Sequence, residues 1–221
     1  MMRNNLTFKE VRNNSEITTY LAFIDSTFIE YKEYGIGHAL YAAKIAEKIL
    51  KVLGYDKREQ ELAKIAAYVH DIGNMVSKYD HDQSSAIMLI NILGEARCHN
   101  EEVFSIITAI GCHEDKTVDP VSPIAAALVL GDKTDVCHER LRVDESYYID
   151  KHSNVIAACK KVDIVVNKKK KTIELRIKID TKICSVMDYF ELFLSRINYC
   201  RKASNVLDCN FELYINRDKF L

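Results

Sequence analysis

Tyr68-Val69-His70-Asp71-Ile72-Gly73-Asn74 is the stretch on which the reading of the fold turns. It closes a segment with Leu62, Ile65, Ala66 and Val69 on one face. That segment opens with Asp56-Lys57-Arg58-Glu59, a capping box with Asp56 at N-cap and Glu59 at N3. A helix here therefore ends at His70-Asp71. Neighbouring helical residues point about 100° apart and rarely share a ligand in mid-helix. At a C-terminal end the backbone leaves helical geometry, and Gly73 is expected to let it turn sharply. Both side chains can then face one ion, and imidazole with carboxylate suits a first-row divalent metal better than calcium.

Upstream, Ile17, Tyr20, Leu21, Ile24 and Phe28 recur at helical spacing. Ser15 is the expected N-cap, and Gly35 and Gly37 end that segment. A helix over 38–53 follows and is stopped by Gly54. Residues before 15 are polar, with a short extended piece expected over 8–11. Downstream, helices are expected over 83–93 and from Asn100 as N-cap to about Cys112. A sixth runs from Ser122-Pro123, a cap followed by Pro at the first helical position, to at least Asp135.

After about Arg142 the pattern changes. Residues 162–166 are a β-branched run, Asn167-Lys168-Lys169-Lys170-Lys171 is a polar turn, and 172–179 alternates apolar with polar. An amphipathic helix over 185–203 and an alternating strand over 211–215 complete a β-β-α-β tail. The fold class is mainly α: a helical bundle over 15–145, then a small α+β region over 146–221 with a three-stranded sheet.

Composition bounds the function. The 221 residues carry 31 Lys+Arg and 32 Asp+Glu, a net charge of −1, which disfavours a globally basic nucleic-acid or membrane binder. Seven Gly and two Pro argue against collagen-like, linker-rich and propeller chains. Seven Cys with no CxxC pair argue against a zinc ribbon and for buried thiols in a reducing, cytoplasmic setting. No apolar run approaches the ~20 residues that span a bilayer, and no signal peptide is visible.

His38, His70, His81 and His113 all fall at or near expected helix ends, and Asp132 interrupts an apolar helix, Ile124–Gly131. A carboxylate there is costly to bury without a cation or strong donors. Bundle interiors are a common place for such residues to converge. His99, His138 and His152 are expected to be separate polar residues.

The order His … His-Asp … Asp on consecutive helices resembles the HD-domain superfamily of metal-dependent phosphohydrolases. The matching stretches are Gly37-His38-Ala39, Tyr68–Asn74 and Leu130-Gly131-Asp132-Lys133-Thr134-Asp135. The resemblance covers about 35–142 and implies an HD-type helical bundle with His38, His70, Asp71 and Asp132 around one metal. It implies roles for His81 and His113 in a dinuclear centre, with Asp71 bridging. The whole chain looks like a bacterial subgroup with an appended α+β tail. Gly131 stands where many members have Ala. The Gly-Tyr-Pro signature of cyclic-di-GMP-degrading relatives is missing after His113-Glu114.

The implied reaction is phosphomonoester or phosphodiester hydrolysis of a small phosphorylated molecule, nucleotides included. Water activated by one or two divalent ions is the attacking group, with Asp71 and Asp132 as the catalytic carboxylates. Fe or Mn stand ahead of Co, Ni, Zn and Mg as the ion. Lys133, Lys116, Arg140 and Arg142 are candidate phosphate groups. Asp135, three residues after Asp132, is placed to orient a ligand. The partner is the substrate, without a membrane, and the reading leaves room for a homo-oligomer. The rival reading is a metal-stabilised nucleotide-binding or sensory module with little turnover.

Overall fold

The computed structural model describes residues 5–27, 35–95, 99–114, 119–136 and 151–221. In chain order run α1 (Phe8–Asn13), α2 (Ser15–Thr27), α3 (Ile36–Leu53), α4 (Lys57–Val69) and a 3-10 turn (Ile72–Met75). Then come α5 (His81–Glu95), α6 (Asn100–Gly111), α7 (Pro123–Lys133) and α8 (Lys151–Ala158). The chain closes with β1 (Cys159–Asn167), β2 (Thr172–Ile179), α9 (Val186–Val206), β3 (Asn210–Ile215) and β4 (Asp218–Lys219). This is the expected architecture, a mainly α bundle followed by a small α+β region.

The apolar run Ile124–Leu130 is buried along its whole length because α7 is the central helix, packed against α3, α4, α6 and α9. Small residues permit close approach. A Cβ at Gly131 would lie 2.6 Å from the Ala42 carbonyl oxygen of α3, which is why glycine rather than alanine precedes Asp132 here. Ser122 caps α7 by accepting from Ala125 N–H, and Asp56 with Glu59 forms the expected capping box on α4.

The sheet order is β1-β2-β3-β4. β1 and β2 form an antiparallel hairpin with Ile164 opposite Leu175. α9 then crosses over so that β3 runs parallel to β2, with Leu175 beside Leu213. Tyr189, Phe193, Tyr199 and Phe211 are buried in the core, whereas Phe190 is half-buried and Phe220 exposed. One apolar cluster runs through bundle and tail alike. β1 packs on α3, where Lys48 Nζ donates to the Ile164 carbonyl at 2.7 Å.

Several local expectations are corrected. The 8–11 segment is helical, not extended, because Thr7 and Glu10 form a capping box and Val11 is buried. Asn14, not Ser15, caps α2, its Oδ1 accepting from Glu16 and Ile17 N–H. α2 is described to Thr27, and Gly35 and Gly37, expected to end that segment, instead open the next one: Gly35 is the N-cap of α3 and Gly37 lies in its first turn. His99 is the N-cap of α6, and Asn100 is its first residue. α7 stops at Lys133, short of Asp135. The sheet has a fourth strand, β4, and α8 precedes it, neither signalled by periodicity. Cys112, Cys159, Cys184, Cys200 and Cys209 are buried free thiols, as expected. Among the described residues, no helix is long and apolar enough to cross a membrane.

Arg58 ties the N-terminal segment to the bundle. Its guanidinium grips Glu102 through two 2.5 Å bonds and donates to the Leu6 carbonyl at 2.7 Å. Burial works to raise the Glu102 pKa, but the Arg58 hydrogen bond and charge outweigh it and lower it from 4.5. A depressed folded-state pKa contributes stability that is present above the unfolded value and lost as pH falls through the folded one. Glu102→Gln is therefore expected to lose about 1–2 kcal/mol at pH 7. Urea unfolding should show that gap closing once the pH drops below 4.5. A gap unchanged at acid pH would mean the charge is not what stabilises.

Candidate metal centre

α4 delivers His70 at its C-cap in helical geometry, while Asp71 follows at φ −102°, ψ 5°, already outside the helix. That break is what lets adjacent side chains face one point. Gly73 is needed for a different reason from the one expected. It is not in the left-handed region, and a Cβ there would lie 2.3 Å from the His81 carbonyl oxygen and 2.5 Å from Ser85 N. The glycine makes room for the first turn of α5, and its N–H donates to Ser85 Oγ at 2.8 Å. His81 is thereby seated over Asp71.

The six residues come together. His38 Nε2 lies 3.3 Å from His70 Nε2, 3.3 Å from Asp132 Oδ1 and 3.7 Å from Asp71 Oδ2. His70 Nε2 lies 3.4 Å from Asp71 Oδ1 and 3.7 Å from Asp132 Oδ1. On the other side, His81 Nε2 and His113 Nε2 are 3.1 Å apart, at 3.1 and 3.8 Å from Asp71 Oδ1. Asp71 is the carboxylate both imidazole pairs share. All six are buried except His81, which is half-buried.

Each histidine is held from behind. His70, His81 and His113 direct Nδ1 at the carbonyls of Ala67, Lys78 and Ile110, at 2.8, 3.1 and 2.7 Å. His38 Nδ1 faces Asp135 Oδ2 at 2.6 Å. These oxygens accept, so each Nδ1 donates and Nε2 is left facing the centre as the atom that takes a proton or a metal. Asp135 reaches His38 because α7 ends two residues earlier. Tyr199 of α9 donates to the Cys112 carbonyl, fixing the residue before His113.

The imidazoles and carboxylates of the cluster shift one another. Burial works to raise the Asp71 pKa, yet His70, His81 and His38 lower it far more. Asp132 is likewise held well below its ordinary value, chiefly by Lys133 and His38 against the effect of burial. Burial works to lower His81, but the Asp71 hydrogen bond and charge lift it to about 9. Burial, with the charges of His70 and Lys133, pushes His113 down to about 3. Facing Nε2 atoms so placed need a proton or a metal between them. Asp132 Oδ2 is buried without a hydrogen bond, although Lys133 Nζ is 2.8 Å away. Imidazole nitrogens and carboxylate oxygens within 4.8 Å of one another are a donor set that fits first-row divalent ions.

Sequence reasoning missed Glu114, Asn74, Lys78 and Arg196. Glu114 Oε1 lies 3.7 Å from both His81 and His113 and pairs with Lys133. With Asn74, Lys78 and Arg196 it joins ligand-set residues around a cavity of about 160 Å³. Glu114 was legible as the neighbour of His113; Arg196 carried no signal. Burial works to lower the Lys133 pKa, but Asp132 and Glu114 raise it, and Arg196 opposes them. Lys116, Arg140 and Arg142 lie outside the described residues, as does His138. His99 is exposed, and His152 packs on Phe193, both away from the cluster.

Helix ends that bring imidazoles and carboxylates into a bundle interior define a class of helical protein with a buried donor cluster able to hold divalent ions. The family model for the HD domain matches residues 35–192, and the chain belongs to the HD-domain family. Among solved structures it is similar to a predicted HD superfamily hydrolase from an uncultured Thermotogales bacterium. That likeness has 21% identity and a TM-score of 0.46, over 60% of this chain and 75% of the other. No curated protein sequence matches the chain.

Proposed function

We propose that the chain is a metal-dependent phosphohydrolase that cleaves a phosphomonoester or phosphodiester in a small molecule, nucleotides included. The observation that carries this reading is the inward set of four Nε2 atoms and two carboxylates, every Nδ1 being tied to an acceptor behind it. His38, His70, Asp71 and Asp132 would hold one ion, and Asp71, His81 and His113 a second. Bound divalent ions supply Lewis acidity toward phosphoryl oxygens and lower the pKa of water. The chain's own part is to fix the donors and exclude bulk water. Asp135 and the three carbonyls lock the imidazole rings. Lys133 holds Asp132 and Glu114 in place. Burial of Asp71 and Asp132 keeps the surrounding dielectric low, where charge stabilisation counts most.

The test is elemental analysis of anaerobically purified protein, with phosphate release from a panel of phosphoesters and nucleotides under each of several metals. About two ions per chain and metal-dependent release are expected. Nucleotide binding without turnover would favour the sensory-module reading instead. Chelation should abolish release. It should also lower the melting temperature, since metal at a hundredfold excess over Kd stabilises by about 2.7 kcal/mol, roughly 5–10 °C here.

A further inference from the structure

A phosphoryl group carries negative charge on several oxygens, and the side chains around the cavity differ in whether their charge is available to it. Lys133 follows Asp132 in the chain, but it is buried and paired with Asp132 and Glu114. Arg196, from the tail helix α9, lines the same cavity, and among the described residues no carboxylate pairs with its guanidinium. Its place is set by the packing around it. The guanidinium carbon stacks over the buried Phe193 ring at 5.2 Å, one turn away on α9. One turn further on, Tyr199 is bonded to the Cys112 carbonyl beside His113. α9 itself packs on α7, which carries Asp132. The cavity, about 160 Å³, suits a phosphoryl group rather than a whole drug-sized ligand, for which roughly 300–1,000 Å³ is usual.

We propose that Arg196 binds phosphoryl oxygens of the substrate, so that the C-terminal region completes the active site of the helical bundle. This rests on the hydrolase reading above. A planar guanidinium with five N–H donors can hold two phosphoryl oxygens through a pair of parallel hydrogen bonds, a fork geometry that an ammonium lacks. The substrate's phosphate is then held between the ion centre and α9, with the rest of the molecule outside the cavity.

The test uses the full chain loaded with Mn(II) and titrated with inorganic phosphate by calorimetry, alongside KM and kcat for a phosphoester it turns over. Arg196→Gln is expected to raise the phosphate Kd and the KM roughly ten- to hundredfold, the range for losing a charge-assisted bidentate contact. Metal content per chain should stay unchanged, because Arg196 holds no ion. Arg196→Lys keeps the charge and the aliphatic stem. It is expected to recover only part of the affinity, and it keeps the test decisive should Arg196→Gln unfold. A phosphate Kd and KM within about twofold of wild type in both variants would overturn the assignment while leaving the hydrolase reading intact. A wild type that binds no phosphate and releases none would overturn both.

Discussion

Asp71→Ala is expected to abolish phosphoester hydrolysis and to empty the centre of metal. Among the described residues, Asp71 is the one carboxylate within 4 Å of all four imidazoles, Oδ1 lying 3.1–3.8 Å from His81, His70 and His113 and Oδ2 3.7 Å from His38. Truncating one partner in a buried charged cluster typically costs 3–5 kcal/mol. Losing the charge stabilisation that this carboxylate helps to organise separately costs the rate roughly 10²–10³-fold or more. The helices should persist, because the apolar cluster around α7 does not depend on this side chain. Circular dichroism, metal content and single-substrate kinetics together check this. A variant that keeps its full metal complement and turnover would remove Asp71 from the centre.

The second large effect is on stability. Gly73→Ala would place a Cβ 2.3 Å from the His81 carbonyl oxygen and 2.5 Å from Ser85 N, both backbone atoms of α5. Neither can rotate away, so α5 must shift, taking His81 from its 3.1 Å contact with Asp71. The expected cost is about 3 kcal/mol, at the upper end for overpacking. The same variant should bind more weakly the ion proposed at Asp71, His81 and His113. Denaturant unfolding and metal titration read the two consequences separately. Wild-type stability in Gly73→Ala would mean α5 does not seat against this turn.

Much of the fold was legible because it is local. The capping box at Asp56 and Glu59, Ser122-Pro123 at the start of α7 and the 172–179 alternation each encode their own element within a few residues. α1 carried the same kind of signal in Thr7 and Glu10, overlooked because six residues show little periodicity. β4, two residues long, has none and exists only because β3 offers it an edge.

The histidines could be nominated from the chain because they fall at or near helix ends, and Asp132 because a lone carboxylate in an apolar helix is costly to bury; the resemblance to the HD-domain superfamily grouped them around one centre. Their order along the sequence is thus a property of the sequence itself. What joins them, and what else joins them, is decided by packing. Lys133 turns to Asp132 and Glu114, Asp135 to His38, and Gly73 gives clearance rather than a turn. Arg196 enters from a helix whose sequence says only that one face is apolar, because α9 must cover α7. Periodicity reports which face of a helix is buried; only the assembled bundle decides which neighbour that face meets, and so which charges share a cavity.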